Sequence, residues 1–338
     1  MFPSDLLNAF KTLNAYLTTD DSGATHVDHF NSLADEAIAL SDSAVVCPVG
    51  DMIRIVATGT DRAKFLHNFC TNNIKAMQPG DVCEAFFTDV KAKILAHGYL
   101  LATDNAIEIM MLPGNQDAIL KHLNRYIITE DVSIVAEETP TATFAIMGPA
   151  TFETLSKTDL PVPANKQHGC SFNDTATLFT TEWNSQPVAF ISVNSAASVT
   201  VWNSLTAVAT PAGSAVFHHQ RIMEGFPQVG IDVTDANLAP EVDRVAQTIC
   251  YTKGCYLGQE PIARLDAMGH VNRKLYRCLA SPTISPETDG ELPAITSISS
   301  VGSGSYPALA QLKVSTAIAQ TSLFAKTEEG TVFQLTLH

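Results

Sequence analysis

The densest run of chemically capable side chains lies between Tyr251 and Arg273, YTKGCYLGQEPIARLDAMGHVNR. It gathers Lys253, Cys255, Gln259, Glu260, Arg264, Asp266, His270 and Arg273, with glycines at 254, 258 and 269. Glycines around a cysteine let the backbone approach a ligand closely or take up positive φ. A lysine two residues away lowers a thiol pKa, and an electropositive, accessible setting separates a reactive cysteine from an inert one. Cys255, with Lys253 as its activator, is therefore the thiol singled out for function. The competing reading is a turn feeding a helix that Gln259-Glu260 opens, with Cys255 merely packed. A lone cysteine beside glycines does not decide between the two.

Other chemical groups carry less. His218-His219 are adjacent, so on a strand they would face opposite sides and fail to chelate one metal. Cys250 and Cys255 are five apart and Cys70 and Cys83 thirteen apart, and neither spacing makes a preformed iron–sulfur site. No metal ligands are assigned. Trp183 and Trp202 read as packing residues.

The elements that must position these groups follow from composition and periodicity. The chain has 338 residues, enough for two or three domains at roughly 100–200 residues each. It is 46% hydrophobic and 16% charged, which excludes wholesale disorder, collagen and coiled coil. The net charge is −15 with no basic run, which disfavours direct nucleic-acid binding while leaving room for a local anion pocket. Seven cysteines without a zinc-type pattern read as free thiols of a reducing compartment. The start of the chain lacks signal-peptide and transit-peptide features, and no window is apolar enough to span a membrane. The expectation is a soluble, cytoplasmic protein.

Apolar spacing at Leu6, Phe10, Leu13 and Leu17 predicts a first helix behind Ser4, and His26–Leu40 a second. From Ala44 the pattern shifts to short β-rich runs: AVVCPVG, MIRIVATG, AIEIMML, VSIVAEE, TFAIMG and AFISVN. Helix candidates at Asp61–Asn72, Asn115–Tyr126 and Ala197–Ala207 lie between them without a βαβ rhythm, which predicts α+β with largely antiparallel sheets. Ser281–Pro293 reads as a linker, and the last 45 or so residues as strands and turns of a small β-barrel. The expected domains are a helical extension (1–43), a two-lobed α+β region (44–278) and the barrel (279–338).

The string K-G-C-Y-x-G-Q-E at Lys253–Glu260, with A-R at Ala263-Arg264 and G-H-V-N-R at Gly269–Arg273, resembles the signature of the YgfZ-type proteins. These form the folate-binding, iron–sulfur-maturation branch of the glycine-cleavage T-protein (aminomethyltransferase-like) superfamily. Gly59–Ile74, Phe86–Ile94, Leu123–Ile134, the Gly-Pro turn of Ala145–Pro149 and R-x-x-x-G-x-P-x-x-G-x-D at Arg221–Asp232 fit the same pattern in order. The resemblance covers roughly residues 44–338, and the first 40 or so have no counterpart in it.

The resemblance implies a ring of α+β domains around a central cleft for tetrahydrofolate or a related folate, with the K-G-C segment beside it. A pterin needs an apolar slot and a few convergent polar groups. Glu224 would meet ring N–H groups and Arg221 the acidic tail, although an Arg221–Glu224 ion pair within one helix reads equally well. The aminomethyltransferase branch carries its pterin-facing carboxylate one position earlier, where this chain has Met223. Gln259, Glu260, Arg264 and His97 complete the expected folate-contacting set. His97 stands where the aminomethyltransferases carry an acidic residue, and a neutral imidazole does not supply that permanent negative charge.

The function implied is an accessory role in iron–sulfur cluster assembly or repair, serving cluster-dependent enzymes including tRNA-modifying ones, with assembly factors or client proteins as partners. A cluster shared between Cys255 and a partner is left open. The alternative is a tetrahydrofolate-dependent aminomethyltransferase or other one-carbon transferase.

Overall fold

Short apolar runs separated by tight turns pair mostly with their neighbours in sequence, and three large, mainly antiparallel sheets result beside a two-stranded one. A computed structural model describes residues 2–19, 23–50, 52–114, 116–137, 141–283, 292–319 and 323–338. The first sheet has the spatial order Val82–Thr88, Ile94–Ala102, Ala106–Met111, Ile53–Thr58, Ser133–Ala136. The second runs Gly169–Phe172, Ala176–Trp183, Gln186–Asn194, Thr141–Met147, Val45–Gly50, Thr210–Pro211. Its last pairing, Thr210–Pro211 on Val45–Val46, is parallel.

Side-chain alternation explains how these sheets stack. In Ile94–Ala102, Ala96 and Leu100 face Phe65 and Leu66 of the Arg62–His67 helix and Ile119 and Leu123 of the Gln116–Asn124 helix. Tyr99 and Leu101 face the other way, onto Met147, Phe179, Trp183 and Phe190 of the second sheet. The outer face of that second sheet, with Val46, Phe144, Leu178 and Ile191, is covered by Leu6 and Phe10 of the Ser4–Thr12 helix and by Trp202 and Leu205 of Ser198–Thr206. Strands buried on both faces read as continuous apolar runs, as the sequence does here. Trp183 and Trp202 are both fully buried, in keeping with the packing role read for them.

The third sheet is ordered Ile295–Ile298, Tyr306–Lys313, Arg273–Pro282, Val332–Leu337, Leu323–Lys326. A single bridge, Ala294 to Lys326, joins its two ends and curls it towards a barrel. A core of Phe86, Ile94, Ile222, Val242, Tyr256, Ile262, Leu275 and Leu309 fastens it to the first sheet and to the Gln259–Met268 helix.

Three sequence expectations need correction. The first helix stops at Thr12, and Leu17, expected to continue its apolar face, lies on the Tyr16–Thr19 strand. The helix expected from His26 begins at Leu33, where Ser32 is the N-cap and accepts from the Asp35 N–H, and Thr25–His29 is instead a strand paired with Tyr16–Thr19. Glu36 is buried because its carboxylate accepts from the N–H of Phe30 (2.6 Å) and of Gly213 (3.0 Å). The carboxy-terminal region, expected to hold strands and turns only, also carries a short helix at Val314–Ala319. The Ser281–Pro293 segment read as a linker lies largely outside the described residues.

Candidate functional site

Glu84 and Phe86 share a face of Val82–Thr88 and stand opposite Tyr99 and His97 on the next strand. That face looks into the interior, so the Glu84 carboxylate needs partners there. Arg244 supplies two, Nε to Oε1 at 2.6 Å and Nη2 to Oε2 at 2.5 Å, and His97 Nε2 lies 2.7 Å from Oε1. Burial opposes ionisation of Glu84, but the Arg244 charge and these hydrogen bonds outweigh it and hold the carboxyl at about 2. An ionised carboxylate only accepts, so His97 Nε2 carries the hydrogen of that bond. Burial works against the Arg244 charge as well, and Glu84 overrides it and raises its pKa.

Aromatic rings close around this network. Phe226 stacks on Trp183 (4.5 Å between centroids) and on Tyr99 (5.9 Å), and takes the Arg244 guanidinium over its face at 5.0 Å. His97 lies between Phe86 (4.6 Å) and Phe226 (4.8 Å), and Trp183 Nε1 donates to Tyr99 Oη at 2.8 Å.

Beside His97 and Phe226 lies a narrow, mostly apolar cleft with an internal space of about 20 Å³, lined also by Leu95, Ala96, Met111 and Val229. Between the lining residues Pro227 and Val229, the Gln228 amide donates through Nε2 to the Pro113 carbonyl at 3.2 Å, while its Oε1 is buried without a hydrogen-bond partner. A buried, unpaired carbonyl oxygen is costly unless something donates to it. The cleft in this conformation has room for about one water, so a flat heteroaromatic ring would enter it only with its walls moved apart.

Cys255 sits on the segment that precedes the Gln259–Met268 helix and is the only exposed one of the seven cysteines. The segment is tightly held. Cys250 N–H donates to Thr71 O (3.0 Å), Leu257 N–H to Asn68 O (2.9 Å) and Thr88 Oγ1 to Leu257 O (2.9 Å). Gly258 has φ +85°, and a Cβ there would lie 2.6 Å from the Asp89 carbonyl oxygen, so this close crossing requires glycine.

Lys253 does something other than expected. Its buried ammonium donates to the carbonyls of His67 (2.6 Å), Cys70 (2.7 Å) and Asn72 (2.7 Å), using all three of its protons. Burial lowers its pKa, opposed by the nearby thiols of Cys70, Cys250 and Cys83. The residue works as a clamp between the Cys255 segment and residues 67–72 rather than as an ammonium aimed at the Cys255 thiol. Cys250 is half-buried, and its pKa is lowered first by the Thr252 hydroxyl at 3.5 Å.

The remaining sequence candidates are dispersed. Arg221 is buried and held on three sides: Nη1 meets Asp232 Oδ2 at 2.6 Å, Nη2 donates to Ser297 Oγ and Nε to His218 Nδ1, both at 2.9 Å. It pairs with Asp232, not with Glu224, so the intrahelical ion pair does not form. Glu224 ends the Ser214–Met223 helix half-buried, its pKa raised by burial against the pull of Asn184, Arg277 and Arg244. Gln259 is half-buried and Glu260 and Arg264 are exposed, all three on the Gln259–Met268 helix. His218 and His219 lie on a helix and turn to Arg221 and Ser299 respectively. Among the described residues no group of three or more His, Cys, Asp or Glu is placed to hold a metal ion, and no helix is long and apolar enough to cross a membrane.

Sequence reasoning missed Glu84, Arg244, Phe226 and Gln228. A lone carboxylate inside the apolar strand VCEAFFT and a lone arginine in EVDRVAQ were the available signals, since each demands a buried partner.

The GCVT N-terminal domain family matches residues 8–243, and the chain belongs to that family. The match begins well before residue 40, so most of the amino-terminal segment does have a family counterpart. A chloroplastic protein of Arabidopsis thaliana, named as a candidate transferase, is 30% identical over 71% of this chain and 57% of its own length. The chain thus spans little more than half of that relative. The tRNA-modifying protein YgfZ of Colwellia psychrerythraea is 24% identical over 69% of this chain and 70% of its own. In fold, the chain is similar to the glycine cleavage system aminomethyltransferase T of Bartonella henselae, with a TM-score of 0.81 at 15% identity, covering 98% and 95% of the two chains. The chain is a YgfZ-type member of this superfamily.

Proposed function

We propose that this YgfZ-type chain is a folate-binding accessory protein of iron–sulfur cluster assembly and repair, with Cys255 as its working thiol. The observation that carries the reading is Cys255 itself: an exposed thiol on a segment that Lys253, two backbone hydrogen bonds and one from the Thr88 hydroxyl hold in place. A thiol can meet a partner's sulfur or iron only if it is accessible, and a fixed segment presents it without an ordering cost.

The cleft supports the folate half of the reading. The cleft must widen to admit a pterin, which would then lie against Phe226, Leu95 and Met111 beside the His97 imidazole. Tetrahydrofolate, when bound, supplies a reduced pterin that carries one-carbon units. Glu84 holds the His97 ring and Arg244 holds Glu84, so the imidazole is preorganised. Gln259, Glu260, Arg264, Arg221 and Glu224 lack a comparable placement at this cleft. The relatives named as tRNA-modifying proteins support cluster-dependent tRNA-modifying enzymes as clients, in a soluble cytoplasmic setting.

Tetrahydrofolate at 100 times its Kd should add about 2.7 kcal/mol of stability. Phe226→Ala should abolish that gain, and a folate series that leaves the melting temperature unmoved would refute the binding half. One observation favours the alternative of one-carbon transfer. His97, oriented by Glu84 at 2.7 Å, has the geometry of a proton acceptor at the cleft. Methylene-tetrahydrofolate formation from an aminomethyl donor, lost in His97→Phe, would establish it.

A further inference from the structure

A second cavity, of about 280 Å³, lies away from the first, between the Thr25–His29 strand, the Ser214–Met223 helix and the Ile295–Ile298 strand. It approaches the lower end of the roughly 300–1,000 Å³ range of small-molecule sites. Its polar groups are arranged around one buried guanidinium. Arg221 donates Nε–H to His218 Nδ1 and Nη2–H to Ser297 Oγ, both at 2.9 Å, and meets Asp232 through Nη1 at 2.6 Å.

These bonds fix what the cavity offers. With Nδ1 accepting, His218 carries its hydrogen on Nε2, and with its oxygen accepting, Ser297 has its O–H to give. Burial, reinforced by the Arg221 charge, pushes His218 down to about 4, so the imidazole stays neutral and keeps that tautomer at physiological pH. Two donors polarised by the same cation face a ligand here, a setting for a carboxylate. Asp28 also lines the cavity, its carboxylate on His29 Nδ1 at 2.8 Å and its side chain 38% exposed. A carboxylate at the rim of a carboxylate-binding pocket is repulsive unless the ligand also brings a cation. Ile222, Ile231 and Ile298 supply the rest of the wall, and Ile231 is 48% exposed although the residue is large and apolar.

We infer that this cavity is a second small-molecule site, taking an α-amino acid with an aliphatic side chain. The carboxylate meets His218 and Ser297, the ammonium meets Asp28, and the side chain lies on the isoleucines. No part of the folate reading enters this assignment. Because the walls come from the amino-terminal strand, the central helix and the carboxy-terminal sheet, occupancy ties three parts of the chain together.

Isothermal titration of the full chain with L-leucine, 4-methylpentanoate and 3-methylbutylamine tests it. L-leucine should bind saturably and more tightly than either analogue, which lack its ammonium and its carboxylate respectively. Asp28→Asn should weaken L-leucine about tenfold and leave 4-methylpentanoate unchanged, while Ser297→Ala weakens both about tenfold. Tetrahydrofolate binding should be untouched in both variants, which separates this site from the first. No saturable heat with L-leucine up to about 20 mM, an affinity for it that neither variant changes, or analogues that bind as tightly, would each overturn the assignment. The range is set by the millimolar Kd that corresponds to about −4 kcal/mol.

Discussion

Glu84→Gln is the perturbation that probes the interior of the site most sharply. It keeps the shape of the side chain, removes the charge that Arg244 faces through two hydrogen bonds at 2.6 and 2.5 Å, and frees His97 Nε2 to change tautomer. A carboxyl that titrates at about 2 rather than 4.5 contributes about 3 kcal/mol of stability at neutral pH. Removing one partner of a buried pair costs a similar ~3–5 kcal/mol, because the other charge is left uncompensated. The folded pKa is depressed, so the contribution is fully present above about 4.5 and is lost as pH falls towards 2. Urea denaturation of wild type and Glu84→Gln at pH 7 and pH 3.5 reads both quantities. The variant should be less stable by ~3 kcal/mol or more at pH 7, and the gap should narrow clearly at pH 3.5. Adding Arg244→Met should restore part of the loss by removing the stranded charge. Equal stability at pH 7, or a gap that does not shrink with acid, would refute the reasoning.

Lys253→Met leaves three carbonyls without their donor, and should cost about 2–4 kcal/mol in chemical denaturation while loosening the Cys255 segment, seen as faster amide exchange at residues 250–258. Gly258→Ala forces a Cβ to 2.6 Å from the Asp89 carbonyl oxygen at φ +85°, and should cost at least ~2 kcal/mol, whereas Gly254→Ala, with nothing within 4 Å of its Cβ, should be close to neutral. Brief iodoacetamide treatment followed by peptide mass analysis should label Cys255 and Cys250 well before Cys70, whose buried thiol is pushed up by desolvation despite Lys253.

The fold was legible because its causes are local. Alternation and turn residues marked the strands at Val45–Gly50, Ile53–Thr58 and Ala106–Met111 and the helices between them, and the signature around Lys253–Arg273 placed the chain among its relatives. The site was only half legible. Exposure of Cys255 fits the glycine-flanked motif, but the destination of the Lys253 ammonium depended on carbonyls nearly two hundred residues away, which no spacing near Cys255 encodes. Arg221 and Glu224 are one helical turn apart and read as a pair, yet Asp232 takes the guanidinium because the chain turns back at Gly225–Gly230. The Glu84–Arg244–His97 network joins three separated segments, and in sequence each member is one polar letter in an apolar run. At His26, a helical apolar spacing lost to the strand pairing with Tyr16–Thr19, a tertiary preference that overrides local propensity.

Replacing Cys255 with serine at its own locus is the most direct test of the account, since serine keeps the size and exposure of the side chain and removes only the sulfur. The readouts are tetrahydrofolate affinity of the purified protein and, in cells under oxidative stress, the products of cluster-dependent tRNA modification. The account predicts an unchanged melting temperature and folate affinity together with loss of the modified nucleosides. Wild-type levels of those nucleosides in the Cys255→Ser strain would contradict it.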